Sequence, residues 1–379
     1  MMSLLFATFA LIAFMERAGT DLLVDQREAL TRRLRVEAYS ALEVTLAVLS
    51  EFREVGNGLH SPAEGWGDPL GFAGYTPTEG RVVQVTFEDE SGKISLPHAN
   101  AQILTNLFKN WELPQPDAET LADAMMGWMQ KNHVYSTSFT PGYEQSTLPF
   151  QAPGRSLRSL GELLAIDKVR DKLFDADGRP NELWKRFADS VSLLDFQRPN
   201  INGAKADALA ALGQFGPSQQ QNISDYVQGT GTFAAQGPQF FMSPAEAGRI
   251  AVGATGDTSG FVSTISALRI VVTVLDGRTQ FRVAAVIAPP GGAKTVQTPA
   301  TPPRTQTSAS TSQTGTQRQN EPNAAQKAGR TGANAAPGQT PNASASASRN
   351  LKYPFTLLEI RENDAIPPAP PPPPANPPF

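Results

Sequence analysis

The N-terminal stretch combines two hydrophobic patterns in one predicted helix. Residues Met1 to Met15 carry no charged side chain, and from Glu16 onward apolar residues recur at spacings of three, four and seven up to Leu49. This recurrence is the apolar stripe of an amphipathic helix. The apolar start predicts a membrane anchor formed by Leu4, Leu5, Phe6, Phe9, Leu11, Ile12 and Phe14. The later stripe predicts a packing or assembly face formed by Leu23, Leu30, Leu34, Leu42 and Leu46.

The apolar start is compatible with two other structures. It is shorter than the roughly 20 residues that span a bilayer, so a signal-peptide core or a buried core helix would give the same pattern. No basic residue precedes it, and the helical pattern continues without a cleavage site, which favours an anchor over a signal peptide. The pattern by itself leaves all three open.

A connection and a first strand are predicted at residues 50–98. Asn57 to Gly80 is rich in Gly and Pro and indicates irregular structure. Arg81 to Glu88 alternates apolar and polar side chains, which is typical of a half-buried strand. Asp89 to Lys93 then predicts a turn, in which the adjacent Asp89 and Glu90 serve turn chemistry and not an acid/base pair, because neighbouring strand residues face opposite ways.

Short amphipathic helices predict an α-helical domain over residues 99–255. Asp117 is predicted to cap the helix that starts at Ala118. Ser159 and Glu162 have the spacing of a capping box, in which each side chain bonds the other's backbone N–H. The helix from Lys205 is expected to stop at Gly213.

The last third of the sequence returns to strands. Residues 256–288 predict a hairpin centred on Asp276-Gly277, a strong two-residue turn signal. Residues 289–350 have little to bury and predict a disordered insertion, because such a composition does not offset the entropy of ordering. Residues 351–363 then supply a final strand of the same sheet, and the Pro-rich residues 364–379 predict an extended tail.

Composition excludes several classes of site. The 379 residues carry a net charge of −4, which gives no global attraction to nucleic acid, and they include no cysteine and three histidines. Disulfides and thiolate metal sites are therefore excluded, and three histidines without an i, i+4 pair give little basis for a histidine zinc site or a Ser-His-Asp triad. We predict a protein that is not an enzyme, with no cofactor and no metal.

Four features, taken in order, resemble one family. They are the apolar helix without an internal acid, the stretch Glu88 to Leu96, the stretch Leu121 to Trp128, and the pair formed by Ser156 to Leu164 with Pro199 to Asn202. Together they are similar to the K-type minor pseudopilin of the type II secretion system, general secretion pathway protein K. The motif residues that carry the resemblance are Asp89, Gly92, Lys93, Ile94, Asp123, Trp128, Asn200 and Asn202.

The resemblance implies a fold and a role. The fold class is α+β, with a pilin-like long N-terminal helix on a small antiparallel sheet and a large inserted α-helical domain. The implied role is structural, at the tip of a periplasmic pseudopilus together with the I-type and J-type minor pseudopilins. A single-pass anchor in the inner membrane with the bulk of the chain in the periplasm is expected, and prepilin peptidase becomes a partner if the true start lies upstream. The calcium loop of some relatives is not expected, because residues 129–143 hold no carboxylate.

A second hypothesis comes from residues Ile201 to Gly213. They resemble half of a helix-hairpin-helix, which binds DNA phosphates at glycine-rich turns. The alternative function is therefore a membrane-anchored DNA-binding module. Lys205 is the only basic residue in this stretch, and a Gly-x-Gly turn is missing.

Overall fold

The computed structural model describes residues 2–145, 149–251, 256–296 and 354–363. Side chains are described from Phe14 onward, except at positions 16 and 18–24. The side chains of the other predicted anchor residues and of Leu23 are thus outside the described part, as are most of the predicted insertion and the Pro-rich tail. All described residues fall within one structural unit, Met1–Val296 with Pro354–Phe379.

A long helix packs on an antiparallel sheet. Helix α1 spans Met2–Gly56. The sheet has the order β1-β4-β5-β6, with strands Arg81–Asp89 (β1), Leu268–Asp276 (β4), Thr279–Ala288 (β5) and Thr356–Glu362 (β6). The α1 stripe is buried against alternate residues of the strands, so that Leu34 and Leu42 share a core with Val272 and Val283. Such a helix is held mainly by its apolar face.

The remaining elements lie mostly between β1 and β4. A short helix α2 (Pro69–Phe72) precedes β1, and the two-residue strands are β2 (Ile94–Ser95) and β3 (Val191–Ser192). The helices between the strands are α3 (Ala101–Asn110), α4 (Gln115–Met129), α5 (Asp167–Leu173), α6 (Glu182–Ser190), α7 (Ala206–Gly213), α8 (Pro217–Gln228) and α9 (Pro244–Ile250). Turns of 3₁₀ helix lie at Pro62–Glu64, Glu90–Gly92, Leu96–His98, Tyr143–Gln145, Leu160–Ala165 and Gly231–Phe233.

Two hydrophobic cores hold this inserted region. Helices α3 to α6 bury a core that includes Phe108, Met125 and Phe187. Helices α7 to α9 form a smaller core around Leu209, Phe241 and Phe261. The predicted fold class, α+β with a long N-terminal helix on a small antiparallel sheet and a helical insertion, is confirmed.

The structure corrects one expectation about strands. Residues 50–98 are expected to contribute only to the main sheet, but Ile94–Ser95 (β2) does not join it; β2 pairs in parallel with β3. The cause is local, because the 3₁₀ turn Glu90–Gly92 redirects the chain at the end of β1. The signal for β3 is only two residues long, too short for a periodicity to reveal it.

Three helix ends also differ from the sequence expectation. Helix α4 begins at Gln115, so Asp117 lies in the first turn and is not the cap. The side chain of Ser159 makes no capping bond, because the Glu162 carboxylate accepts instead from the backbone N–H of Arg158 at 3.0 Å. Helix α7 includes Gly213, and Gln214 adopts the left-handed conformation that ends it.

Candidate functional site

The second and the fourth of the four sequence features, at Asp89 and at Asn200, meet at one buried polar junction. The Asp89 carboxylate accepts from the backbone N–H and the hydroxyl of Ser91, at 2.8 and 2.6 Å, as the turn chemistry predicts. Its other oxygen accepts from Asn200 Nδ2 at 2.7 Å. Asn200 Nδ2 also donates to the carbonyl of His60 at 3.0 Å. One side chain therefore joins the end of β1 to the loop before α7 and to the segment after α1.

Two glycines let the motif backbones approach each other. A Cβ on Gly92 would lie 2.1 Å from the carbonyl oxygen of Gly203, and a Cβ on Gly203 would lie 2.2 Å from Asp89 Oδ2. Real Cβ atoms do not come this close to another heavy atom, and the Asp89 side chain is held by its hydrogen bonds, so each position requires glycine for space. The turn and the loop before α7 are therefore packed in backbone contact.

Asn202 extends the junction towards the α7–α9 core. Its side-chain amide donates to the carbonyls of Phe241 and Ser263, at 3.0 and 2.9 Å, and its oxygen accepts from the Phe241 N–H at 2.7 Å. Both Asn200 and Asn202 are buried, so all of these bonds are made away from water, where an unpaired polar group is costly.

Charge is distributed unevenly around the junction. Burial raises the pKa of Asp89 to about 7, although the bonds from Ser91 and Asn200 oppose this rise. Among the described residues, no cation forms an ion pair with its carboxylate. The carboxylate of Asp89 is therefore the electrostatically costly member of the site.

The neighbouring charges are paired with one another. Lys93 Nζ lies 2.9 Å from Glu88 and 3.2 Å from Glu90, and Arg269 contacts Glu90 as well. Burial by itself lowers the pKa of Lys93. The neighbouring carboxylates of Glu90 and Glu88 raise it by more, so the pKa lies above its usual value. Burial raises the pKa of Glu88, but Lys93, Lys205 and Arg269 hold it below its usual value.

The remaining three motif residues serve the helical domain, where Ile94 is buried in the core of helices α3 to α6. Asp123 is buried in α4 and accepts from the backbone N–H groups of Ser136 and Thr137, at 2.9 and 2.8 Å, as expected of a loop-capping residue. Burial raises its pKa, but the bonds from His133 and Thr137 leave it below its usual value. Trp128 donates weakly to Glu162 at 3.4 Å. The side chains of Asp123 and Trp128 therefore fix loops on α4.

The apolar stripe of α1 packs against the sheet of the same chain. Leu34, Leu42 and Leu46 are buried against the sheet, while Leu30 is partly buried beside the same core. The opposite side of the helix is exposed, with Val36 71% and Phe14 69% accessible. The exposed surface of α1 therefore lies opposite the stripe that the sequence singled out.

Sequence reasoning missed two buried carboxylates. Asp207 accepts from Trp111 Nε1, Ser190 Oγ and Asn110 Nδ2, at 3.0, 2.8 and 2.7 Å, and from the Arg186 guanidinium at 2.7 Å. Glu37 in α1 accepts from Tyr75 and Arg81, at 2.8 and 2.9 Å. In the sequence, Asp207 and Glu37 are each an acid on a helix with charged neighbours. This pattern does not indicate that the carboxylate is buried.

The described residues contain no group of three or more His, Cys, Asp or Glu side chains placed to hold a metal ion. In the same part of the chain, no helix combines the length and the apolar character needed to cross a membrane.

The loop at Asp175 and Asp177 is a capped turn, in which Asp175 Oδ1 accepts from two backbone N–H groups at 3.0 and 2.8 Å.

The segment proposed to resemble half of a DNA-binding hairpin is packed internally. Asn202 bonds the backbone of two other segments, and Leu209 lies in the α7–α9 core. Lys205 faces Glu88 at 3.6 Å, so the single basic residue of this stretch is already opposed by an acid. These contacts of Asn202, Leu209 and Lys205 do not favour the DNA-binding alternative.

These features define a pilin-like protein, with a long helix on an antiparallel sheet and a helical region inserted between two of its strands. Residues 86–176 match the family model for protein K of the type II secretion system. The match contains the turn at Asp89 to Ile94 and the helix of Asp123 and Trp128, and it confirms the resemblance to that family. No curated protein matches the chain.

Among solved structures, the chain is similar to one in the crystal structure of the GspK-GspI-GspJ complex from the enterotoxigenic Escherichia coli type 2 secretion system. The sequence identity is 14% and the TM-score is 0.45, over 69% of this chain and 93% of that chain.

Proposed function

We propose that this protein is a non-enzymatic minor pseudopilin of K type, which takes part in protein export by a type II secretion system. The observation that carries the proposal is the family match over residues 86–176. Its motif residues occupy structural positions, because Asp89 joins the end of β1 to the loop before α7 and Asp123 caps a loop. An assembly protein needs rigid surfaces of this kind and no reacting groups.

The proposed place of the protein is the tip of the pseudopilus, where it starts or caps assembly. Its partners there are the I-type and J-type minor pseudopilins; the similar solved structure is of a complex that contains GspK, GspI and GspJ. The exposed side of α1 around Val36 offers a surface for such neighbours, since the opposite side is occupied by the sheet.

The proposed location is the inner membrane, with the bulk of the chain in the periplasm. The support comes from sequence, because Leu4, Leu5 and Phe6 begin an apolar stretch without charge up to Met15. An uncompensated acid within lipid is costly, and the first acid of the chain is Glu16.

Copurification tests the assignment. The full chain, solubilised in detergent, is mixed with the I-type and J-type pseudopilins of the same cell and isolated through a tag on this chain. A stable ternary complex with both is expected. A folded chain that retains neither partner contradicts the proposed role. A DNA fragment in a parallel binding assay, titrated with salt, tests the alternative function.

A further inference from the structure

The two edge strands of the sheet differ in how they are protected against pairing. Strand β6 is seven residues long and three of them are charged. Its register with β5 also shifts between residues 286 and 287. Charged side chains and an irregular register are devices that keep an edge strand from pairing with another chain. The β6 edge is therefore protected.

Strand β1, at the other edge, lacks these devices. It is nine residues long and keeps one continuous register with β4 from Arg81 to Asp89. Its residues 82–87, Val-Val-Gln-Val-Thr-Phe, include no charge and no proline, and valine, threonine and phenylalanine favour strands. A long, regular and uncharged edge of this kind is a template for a further strand.

The direction of the backbone groups follows from the opposite side of the sheet. The N–H of Asn363 donates to the Arg282 carbonyl at 2.8 Å, so the backbone groups of Arg282 point towards β6. Backbone groups alternate along an antiparallel strand. Phe281 therefore points towards β4, where it pairs with Val274.

The same alternation determines which groups of β1 face the open edge. The next residue of β4, Thr273, points towards β1 and pairs with Gln84. Val83, Val85 and Phe87 therefore direct their N–H and C=O groups away from β4. Within the described ranges, no residue bonds to these groups. They are available to a strand from another molecule.

The open edge is complementary to itself in one antiparallel register. When Val85 lies opposite Val85 of a second copy, Val83 lies opposite Phe87, and Gln84 lies opposite Thr86. The outward groups then meet in three hydrogen-bonded pairs, which supply about six backbone bonds. Val83, Val85 and Phe87 are only partly buried against the α1 core, so this register covers their remaining surface with apolar partners.

Other registers fit less well. A shift of two residues in one direction places Phe87 opposite Arg81, and a shift in the other direction places Val83 opposite Asp89. Each shift replaces an apolar pair by an apolar residue facing a charged position. The N–H of Arg81 is also already bonded, because it donates to the Thr78 carbonyl at 3.0 Å.

Charge favours an antiparallel arrangement as well. At the start of β1, one cation stands with two acids, because Arg81 is paired with Glu37 and Asp276. At the end of β1, three cations stand with two acids, namely Lys93, Lys205, Arg269, Glu88 and Glu90. Antiparallel pairing brings the acidic excess of each copy beside the basic excess of the other. When Asp89 is ionised, the basic excess is balanced and the two ends still do not repel.

We propose that two copies of this chain associate through β1, paired antiparallel about a two-fold axis at Val85. The contact is the same on both copies and joins two four-stranded sheets into one. A single edge contact is smaller than a standard protein interface, so the dimer should dissociate on dilution. The exposed depression on α1 lies beside β6, since Arg35 and Tyr39 bond to Glu362, and the dimer leaves it open to other partners.

Disulfide cross-linking of the full chain in detergent tests the register. The chain has no cysteine, so only introduced cysteines react. Gln84→Cys and Thr86→Cys are prepared as separate chains with different tags, and both positions are exposed. In the proposed register their Cα atoms are about 4.5 Å apart across the contact, within reach of a disulfide. Two copies of the same variant are about 7–8 Å apart at these positions, beyond that reach.

The mixture of the two variants should therefore form at least about three times as much linked dimer as either variant alone. The control is Gln280→Cys, an exposed position of β5 away from the edge, which should stay unlinked. Electrophoresis without reductant measures the linked product, and the two tags identify the mixed dimer.

Sedimentation in detergent measures the association itself. The mean mass of the original chain should rise with protein concentration towards that of a dimer. Gln84→Lys with Thr86→Lys brings four ammonium groups together across the axis and should weaken association by about tenfold or more. The matched control, Gln280→Lys with Gln102→Lys, adds the same charge at exposed positions away from the edge and should change it by less than about twofold. Circular dichroism checks that each variant is folded.

Four results would overturn the proposal. An original chain that stays monomeric at every concentration does not pair with itself. A dimer that survives the two lysines is held by another surface. Equal cross-linking of the mixture and of the single variants means that the register is different. A monomeric chain that loses a different partner when the two lysines are introduced means that the edge belongs to that partner.

Discussion

Asn200 donates to Asp89 at 2.7 Å across 111 positions of sequence. The same Nδ2 atom reaches the His60 carbonyl, and the Asn200 oxygen accepts from the N–H of Asn202 at 3.2 Å. One amide therefore satisfies groups from three segments that bring α1, the sheet and the α7–α9 core together. Two of the four features that resemble the family, the stretch at Asp89 and the stretch at Asn200, are parts of this junction.

Asn200→Ala should destabilise the fold. It leaves the His60 carbonyl and one Asp89 oxygen without a donor, and an unsatisfied buried group costs about 1–3 kcal/mol. We expect the free energy of unfolding to fall by roughly 2–4 kcal/mol in urea titrations. Asn222→Ala in α8 is the control and should change it by less than about 0.5 kcal/mol. Equal effects of the two substitutions would contradict a special role for Asn200.

Gly92→Ala should be destabilising for a steric reason. The new Cβ would lie 2.1 Å from the Gly203 carbonyl oxygen, so the backbone of the turn or of the loop must move. Gly248→Ala is the matched control, because its Cβ would lie 3.6 Å from Thr258 Cγ2, at ordinary contact distance within α9. There alanine should be neutral or stabilising by up to about 1 kcal/mol. A stable Gly92→Ala protein would disprove the close approach.

The sequence predicts those parts of the fold that depend on neighbours along the chain. Asp276-Gly277 predicts the β4–β5 hairpin, and the stripe of leucines predicts both helix α1 and the side of it that is buried. Asp89 is also predicted to act in a turn, because its partner Ser91 is two residues away. Its bond to Asn200 is not predictable in this way, since no local pattern encodes a partner so distant in sequence.

The burial of Asp207 shows the same limit. It lies near the start of a helix, where an acid is common and usually exposed. Its donors come from α3 and α6, and only their packing shows that the carboxylate is enclosed. The short strand β3 was missed because two residues carry no periodicity.

Removal of the Asp207 carboxylate should therefore be costly. Asp207→Ala leaves Trp111 Nε1 and Asn110 Nδ2 without their acceptor, and removes the partner of Arg186. We expect a loss of roughly 3–5 kcal/mol in the free energy of unfolding. Asp171→Ala removes an exposed acid that lies 3.6 Å from Arg170 and should cost at most about 1 kcal/mol. A loss below 1 kcal/mol for Asp207→Ala would show that the site relaxes or hydrates.

The stability of the protein should depend on the protonation of Asp89. Its pKa in the folded protein is about 7, against an ordinary value of 3.8. Between these pH values the folded state binds more protons than the unfolded state, so the Asp89 contribution falls as the pH rises, and the loss is complete above pH 7. At 1.36 kcal/mol per pKa unit the upper bound of this loss is about 4 kcal/mol.

Asp89→Asn tests this pH dependence. The difference in free energy of unfolding between the original chain and the variant should shift in favour of the variant as the pH rises from about 4 to 7. Carboxyl groups with a lowered pKa, such as Glu37 and Asp123, act in the opposite direction. Their stabilisation is lost as the pH falls below their ordinary range, and it is common to both proteins. A difference that does not vary with pH would show that Asp89 is ionised throughout.

The exposed side of α1 gives a test of assembly that is separate from folding. Val36 is 71% exposed and lies in a surface depression with Arg35, Tyr39, Ser40 and Glu43. Arg35 and Tyr39 are held in place by Glu362, at 2.9 and 2.6 Å, so this surface is ordered before any partner binds.

Val36→Asp should weaken the complex with the I-type and J-type pseudopilins by about tenfold or more, because a buried charge without a partner costs several times the 1.4 kcal/mol that corresponds to tenfold. The matched control is Val55→Asp, a residue of the same helix that is 91% exposed and lies outside the depression; its effect should stay within about twofold. Both variants should unfold at the same temperature as the original chain, since neither residue is buried. If Val36→Asp binds as tightly as Val55→Asp, the assembly surface lies elsewhere on the chain, and the depression on α1 is not part of it.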